Sequence, residues 1–296
     1  MTTGPTIFDR TLLPMRRQRA RALGPATFLI ERVAEEMAER LSVVLRTFER
    51  AADLDTPTDA LRDVLIAGGK VGALERASIV SEAGLEVMAG PQNKRFAEAS
   101  LDLVVSGLAL QFVNDLPGAL IQIRRALKAD GLLLAAMIGG DSLSELREAF
   151  AEAESEVEGG ISPRVAPFAD IRDLGSLLQR AGFALPVVDS DRVVVRYGSP
   201  IALMRDLRAM AATNILVERR RAPLKRATLR RMLEIYAQRF ADADGRVRAT
   251  FEIVWLTGWA PHESQQKPLK PGSATRRLAD VLGTKEISTG EKPGET

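Results

Sequence analysis

The 296-residue chain contains no cysteine and a single histidine, His262. Without thiols it cannot form disulfides, thiolate metal sites, iron–sulfur ligation or cysteine nucleophiles. One imidazole also excludes a histidine-rich metal centre and the two-histidine, one-carboxylate triad of non-haem iron oxygenases. The sequence therefore predicts no metal site.

Long apolar runs and a strong charge imbalance are also missing. No stretch of about 18 apolar residues occurs, so no membrane span is expected. The net charge is only +2, which argues against a dedicated nucleic-acid binder. The first 21 residues contain arginines but no apolar segment of the secretory type, and the cytoplasm is the expected location. Hydrophobic residues make up 46% of the chain, enough for a sizeable core.

The centre of the chain carries the clearest structural pattern. An apolar run at 101–105 is typical of a buried strand, a helical pattern begins at Asp115, and a second apolar run covers 132–138. A strand, a helix and a strand within about forty residues form a βαβ unit, which requires a long crossover between parallel strands. The pattern predicts a doubly wound α/β fold with helices on both faces of the sheet.

The flanking sequence supplies further elements and a domain division. Strands are predicted at 48–54, 71–74, 85–88, 187–197 and 251–259, and helices from Thr27 and at 59–67, 142–156, 171–181, 199–210 and 224–240. We expect a basic N-terminal arm at 1–26, one domain at 27–262, and a C-terminal extension at 263–296 that is disordered from 283 onward.

Two basic stretches have open interpretations. The arm contains five arginines, and 219–231 contains a second cluster; the arginines and lysine concerned are Arg10, Arg16, Arg17, Arg19, Arg21, Arg219, Arg220, Arg221, Lys225, Arg226, Arg230 and Arg231. The arm is either a solvated segment or short helix, or a segment that docks a partner. The second cluster is either a solvated helix face or a docking surface for an acidic partner or an anionic membrane surface.

The segment 96–115 resembles the fourth-strand motif of Rossmann-like S-adenosylmethionine-dependent methyltransferases, and 123–131 resembles the turn before their fifth strand. The segments at 139–143, 206–210 and 213–214, and above all 257–273, resemble a narrower group. These are the bacterial relatives of the methyltransferase-like assembly factor for respiratory complex I, which are akin to the malonyl-carrier-protein methyltransferase of biotin synthesis. The likeness runs from about residue 7 to 283.

The resemblance implies a Rossmann-like, mostly parallel seven-stranded sheet in the order 3-2-1-4-5-7-6, with strand seven antiparallel. It also implies a pocket for S-adenosylmethionine at the carboxyl ends of strands one, two and four, the usual crevice of open α/β sheets. Aligned on the glycine-rich loop after strand one, this chain keeps Asp53 but has Asp55, Pro57 and Asp59 where the family has glycines. Either the loop still binds the cofactor, or it is a structural loop beside an empty pocket.

Other positions are assigned by the same alignment. Thr56 lies within the loop, Glu75 is the one acidic candidate for the ribose hydroxyls, and Ser106 and Gly107 would border the donor methyl group. The aspartate that usually meets the adenine amine aligns near Gly90. A surface charge is the alternative interpretation of Glu75.

The substrate side is assigned to residues after the later strands. His262 is a candidate general base, with a purely structural histidine as the alternative. Asp141 and Asn214 are further catalytic candidates, and Trp259, Gln265 and Gln266 are candidates for substrate recognition, since amides both donate and accept hydrogen bonds.

Two functions remain open. One is a methyltransferase that acts on a protein or a small carboxylate, for which the resemblance implies a role in complex I assembly. The family also implies an arginine hydroxylase activity. The other is a non-catalytic assembly factor that uses the same fold as a binding scaffold for a complex I subunit. Peripheral contact with a membrane is left open. Fold alone does not choose between them.

Overall fold

The computed structural model describes residues 6–82, 85–266, 280 and 283–285. The chain divides into two compact units, Met1–His262 and Glu263–Thr296. All the strands and helices discussed below lie in the first unit. The predicted disorder at 283–296 concerns a segment of which only 283–285 are among the described residues, so it stays a prediction.

Strands and helices follow one another as the sequence predicts, with some different boundaries. The strands are β1 (Phe48–Leu54), β2 (Val71–Glu82), β3 (Leu85–Ala89), β4 (Leu101–Gly107), β5 (Leu127–Ile138), β6 (Ala184–Tyr197) and β7 (Val247–Trp259). The helices are α1 (Leu12–Leu23), α2 (Phe28–Ser42), α3 (Ala60–Ala67), α4 (Leu116–Ala126), α5 (Ser144–Glu158), α6 (Ile171–Arg180), α7 (Pro200–Ala209) and α8 (Arg226–Phe240).

The sheet has the expected order, β3-β2-β1-β4-β5-β7-β6. The pairs β1–β2, β1–β4 and β4–β5 are parallel, and β7 runs antiparallel to both of its neighbours, which confirms the Rossmann-like arrangement. β3 is also antiparallel to β2, which the resemblance does not imply. Only residues 83 and 84 separate these two strands, and a parallel pair would need a crossover of a dozen residues or more.

Helices cover both faces of the sheet, as predicted. On one face α2, α3, α5, α7 and α8 pack over inward-facing strand residues such as Ala51, Val105 and Trp255. On the other face α4 and α6 pack over the alternate residues, among them Ala52, Leu54 and Val104. This alternation follows from the two-residue period of a strand, and it fixes which face each polar strand residue meets.

β2 is the clearest boundary error in the sequence-based prediction, which ends the strand at residue 74. Glu75, Arg76 and Ser78 interrupt the apolar run, yet pairing with β1 continues to Ala77. β2 has β3, a five-residue edge strand, as its outer neighbour, and the side chains of Glu75, Arg76 and Ser78 remain partly or fully exposed. A strand with one solvated face tolerates such residues, so apolar content underestimates its length.

The N-terminal segment is attached to the domain, and α1 covers much of the predicted arm. The side-chain oxygen of Asn114 accepts hydrogen bonds from the backbone N–H groups of Ile7 and Phe8, at 2.9 and 2.7 Å. Phe8 also bridges to Leu216, and Asp9 pairs with Arg219 at 3.2 Å. These contacts place α1 against the carboxyl edge of the sheet.

The second basic cluster is largely neutralised within the molecule. Arg220 and Lys225 both pair with Glu158, and Arg231 pairs with Glu156. Both acidic residues belong to α5, which packs against α8. This arrangement favours the interpretation as a helix face over a docking surface for an acidic partner.

Candidate functional site

A cavity of about 850 Å³ opens at the carboxyl ends of β1, β4 and β5, on the face covered by α2. Its walls come from α1, α2, the loop after β1, the 3₁₀ turn Leu110–Phe112, residues 164–168, and the end of α7 with the following segment. The volume lies within the usual range of about 300–1,000 Å³ for small-molecule sites. The sequence predicts a ligand crevice at the carboxyl ends of these strands, and this cavity lies there.

Asp53 is a buried carboxyl at the end of β1. The side chain shares its face with Ala51, whose core lies under α2, and the cavity opens on this face, although Asp53 itself is not among the residues that line it. Asp53 is 1% exposed, and neither carboxyl oxygen accepts a hydrogen bond of good geometry from the described residues. Burial raises its pKa to about 6, although the Thr56 hydroxyl and the Arg76 charge act in the opposite direction. A buried carboxyl without donors is an acceptor suited to a cationic or N–H-bearing ligand.

Asp55 occupies a left-handed backbone position, with φ of 59°. Glycine is the usual residue there, and aspartate is one of the few others that adopt this conformation readily. Its carboxylate pairs with Arg10 and Arg17, each at 3.4 Å, and accepts the Ile79 N–H at 2.9 Å. The Arg17 guanidinium also donates to the Asp55 carbonyl at 2.8 Å.

These contacts change the electrostatics expected of the substituted loop. Two aspartates in place of glycines would, by themselves, repel the carboxylate of a bound amino acid. Instead Arg10 and Arg17 neutralise Asp55, and Arg76 of β2 pairs with Asp59. The loop therefore acts as the attachment point for α1 and carries little net negative charge toward the cavity.

Thr56, Ser106 and Gly107 connect the ends of β1 and β4. The Ser106 hydroxyl donates to the Leu54 carbonyl at 2.8 Å, and the Gly107 N–H donates to the Thr56 hydroxyl at 2.9 Å. A Cβ at Gly107 would lie 2.9 Å from a methyl carbon of Ile30. The structure brings these three predicted residues together beside Asp53, with their polar atoms engaged in holding the strand ends together.

Glu75 does not join this group. It lies within β2 opposite Ala52, and its carboxylate meets Arg50 at 3.3 Å on a part-exposed surface. The β2 residue beside the end of β1 is Ala77, so the alignment of Glu75 with a ribose-binding position depended on ending β2 too early. Among the described residues, Arg76 is the only charged β2 side chain that lines the cavity.

The other predicted residues before β7 have structural or surface roles. Asn214 lines the cavity, but its amide nitrogen donates to the Pro163 carbonyl at 2.7 Å and its oxygen accepts the Leu216 N–H at 2.9 Å. Asp141 has a side chain 61% exposed and paired with Arg192 on β6. Asp141 is not among the residues that line the cavity.

Trp259 and His262 lie at the end of the sheet opposite the cavity, where the parallel strands begin. β7 is antiparallel, so Trp259 pairs with Leu132 near the start of the buried part of β5, whereas Ile253 pairs with Ile138 at the carboxyl end. The chain after β7 thus leaves at the amino ends of the parallel strands, away from the cavity. The expectation that this loop faces substrate overlooked the strand direction. Gln265 and Gln266 fall in the second unit.

Gln111 is a cavity residue that the sequence interpretation missed. It is 8% exposed; its amide nitrogen donates to the Leu108 carbonyl at 2.7 Å, and its buried oxygen has no hydrogen-bond partner in the described part of the chain. Its position in the loop directly after β4, the strand whose end borders the cofactor in the resemblance, could have identified it.

The arrangement fits one half of S-adenosylmethionine better than the other. The buried Asp53 carboxyl at the end of β1, together with Arg17 of the cavity lining, suits a charged amino-acid moiety that carries both an ammonium and a carboxylate. No described β2 carboxylate is placed to accept hydrogen bonds from ribose hydroxyls. The adenosine half would have to be held by other groups.

Comparison with known proteins agrees with the fold. A family model described as a methyltransferase domain matches residues 71–135. The malonyl-[acyl-carrier protein] O-methyltransferase of Laribacter hongkongensis is 39% identical over 176 residues, which is 60% of this chain and 57% of that protein. The chain thus contains a domain of the methyltransferase type.

The similarity to a narrower group covers nearly the whole chain. The mitochondrial arginine-hydroxylase NDUFAF5 of Danio rerio is 36% identical over 293 residues, covering 94% of this chain and 90% of that protein. The Homo sapiens protein of the same name is 40% identical over 289 residues, covering 93% and 83%. The chain belongs to the NDUFAF5 arginine-hydroxylase family.

The described residues contain neither a membrane-spanning helix nor a group of metal-binding side chains. None of their helices is long and apolar enough to cross a membrane. They also contain no group of three or more histidine, cysteine, aspartate or glutamate side chains arranged to hold a metal ion.

Proposed function

We propose that the chain is an enzyme that binds S-adenosylmethionine in the cavity at the carboxyl edge and modifies a protein partner during assembly of respiratory complex I. The observation that carries the proposal is Asp53, a buried carboxyl at the end of β1 whose oxygens accept no hydrogen bond of good geometry from the described residues. We propose the cytoplasm as its compartment, while its vertebrate relatives are named mitochondrial.

Methyl transfer is the chemistry that we propose for this site. When bound, the cofactor supplies an electrophilic methyl group, and in-line transfer depends on alignment more than on acid–base residues. The chain's own part is to hold the reactants. Asp53 would accept from the ligand's ammonium group, and Arg17 would attract its carboxylate. Hydroxylation is the activity in the relatives' name.

A second candidate is a non-catalytic assembly factor. The observation that favours it is the absence, among the described residues, of a β2 carboxylate at the ribose position. In that case the cavity would be a remnant of the fold, and Asp53 would have no role beyond the packing of the strand end. The partner would then bind to the outer surface of the domain.

Complementation of a deletion strain separates the two candidates. Deleting the gene is expected to reduce the amount of assembled complex I, measured on native gels, and the unaltered gene should restore it. An Asp53→Asn variant should fail to restore assembly although it accumulates to the normal level, because it lacks the charge that binds the ligand. A Glu75→Gln variant, altered on β2 outside the cavity, should restore assembly fully.

Two results of the complementation experiment would contradict these proposals. Full restoration by Asp53→Asn would reject the enzymatic proposal in favour of the assembly factor. Unchanged complex I in the deletion strain would reject the assembly role altogether.

A further inference from the structure

The arginines of the cavity are not equally neutralised. Five line it, and three of them pair with carboxylates: Arg17 with Asp55, Arg76 with Asp59, and Arg164 with Glu154. The other two, Arg21 and Arg208, have no acidic partner among the described residues. Asp59 is the one acidic residue of the described lining, and Arg76 already pairs with it.

Arg21 and Arg208 come from helices that touch each other. Arg21 lies in the last turn of α1 and Arg208 in the last turn of α7, and α1 packs against α7. Both residues border the same cavity. The carboxyl ends of two helices attract cations, and both arginines are exposed at these ends.

Further positive charge lies behind this wall. Arg16 and Arg19 belong to α1, and the Nε atoms of both are buried without a hydrogen-bond partner. Burial, together with the nearby charges of Arg16 and Arg208, lowers the pKa of Arg19. Mutual repulsion of this kind destabilises the empty site and is relieved when an anion binds.

Gln111 also lines the cavity and has the complementary chemistry. Gln111 presents a buried carbonyl oxygen without a partner, more than nine-tenths removed from solvent. A ligand that contacts both Gln111 and the two arginines would therefore meet guanidinium groups and a hydrogen-bond acceptor. An organic acid that also carries an N–H or O–H donor has this combination of groups.

We infer that the α1–α7 wall is an anion subsite, in which Arg21 and Arg208 bind a carboxylate or phosphate group of the substrate while Gln111 accepts a hydrogen bond from the same molecule. That the anion belongs to a substrate rests on the proposed function. The binding of an anion does not, since it can be measured without the cofactor. Planar guanidinium groups bind either anion through paired N–H donors, so both sources share one chemistry.

The test uses small anions and the intact chain. Malonate, inorganic phosphate and neutral malonamide are titrated into the protein by calorimetry, without S-adenosylmethionine. We expect one of the two anions to bind and malonamide not to bind. The stronger anion identifies the subsite as one for carboxylate or for phosphate. In Arg21→Gln/Arg208→Gln the dissociation constant for that anion should rise at least about tenfold, because two charge-assisted contacts are lost.

The matched control is Arg205→Gln, which removes an exposed arginine of α7 that does not line the cavity, and anion affinity should stay unchanged. The inference is overturned if neither anion binds, if malonamide binds as well as malonate, or if the double variant binds the anion normally. It is also overturned if the double variant loses S-adenosylmethionine affinity by the same factor, since the arginines would then serve the cofactor's carboxylate. If the cofactor does not bind even to the unaltered protein, only the proposed function fails.

Discussion

An Asp53→Asn variant is expected to be more stable than the unaltered protein above pH 6, even though it loses function. Burial raises the pKa of Asp53 from 3.8 to about 6, so the folded state holds this proton more tightly than the unfolded chain does. Stability therefore falls as pH rises from 3.8 through about 6, and below 3.8 the effect is absent. The full difference corresponds to about 3 kcal/mol at pH 8.

Urea unfolding at pH 5 and pH 8 measures this directly. The gain from Asp53→Asn should be larger at pH 8 than at pH 5 by about 1 kcal/mol, because the buried carboxyl is still largely protonated at the lower pH. Asp63→Asn, an exposed change on the neighbouring helix α3, should show no such pH-dependent gain. A variant that is equally destabilised at both pH values would mean that Asp53 is paired in the folded state.

An Arg164→Met variant is expected to lose about 3–5 kcal/mol of unfolding free energy. Its partner Glu154 has a side chain only 1% exposed, and accepts hydrogen bonds from the Ser162 N–H at 2.6 Å and from Arg164 Nε at 2.8 Å. Removing the guanidinium leaves a buried carboxylate without its counter-charge. The segment that this pair holds, residues 164–168, also lines the cavity, so ligand binding should weaken too.

The pair of Glu154 and Arg164 changes stability with pH in the opposite direction to Asp53. Burial alone would raise the pKa of Glu154, but hydrogen bonds from Ser162 and the Arg164 guanidinium lower it below its usual range. Its contribution to stability is present above the ordinary value of 4.5 and is lost as pH falls through the lower folded value. The Arg164→Met variant should therefore lose less stability on acidification than the unaltered protein.

Arg239→Met is the matched control for this prediction. Arg239 pairs with Glu148 and Glu152 of the same helix α5 and lies over an aromatic ring, as Arg164 does, but its side chain is 47% exposed. Exposed pairs contribute at most about 1 kcal/mol each. Equal losses for both variants would show that the burial of Glu154 is not what makes its pair important.

The order of the strands could be predicted from the sequence because the motifs of β4 and β5 are strong. The antiparallel direction of β3 was not predicted, because ending β2 at residue 74 left ten residues before the next predicted strand, whereas only residues 83 and 84 separate the two strands. The site was harder to predict from the sequence than the fold. Asp53, Thr56, Ser106 and Gly107 come together as expected because they end two neighbouring parallel strands.

The errors at the site have two physical sources. Glu75 was misplaced because the exposed charged residues of β2, the strand next to the edge, were interpreted as the end of that strand. Trp259 and His262 were placed on the substrate side because the antiparallel direction of β7 was not carried through to the loop that follows it. The pairing of Asp55 with Arg10 and Arg17 joins residues 38 to 45 positions apart, and no local pattern in the sequence indicates such a contact.

The central claim is that the cavity beside Asp53 binds S-adenosylmethionine, and calorimetric titration at pH 8 tests it most directly. The account predicts binding at micromolar strength by the unaltered protein, at least about tenfold weaker binding by Asp53→Asn, and unchanged binding by Glu75→Gln. A dissociation constant weaker than about 1 mM for the unaltered protein, or equal affinities for the protein and Asp53→Asn, would contradict it.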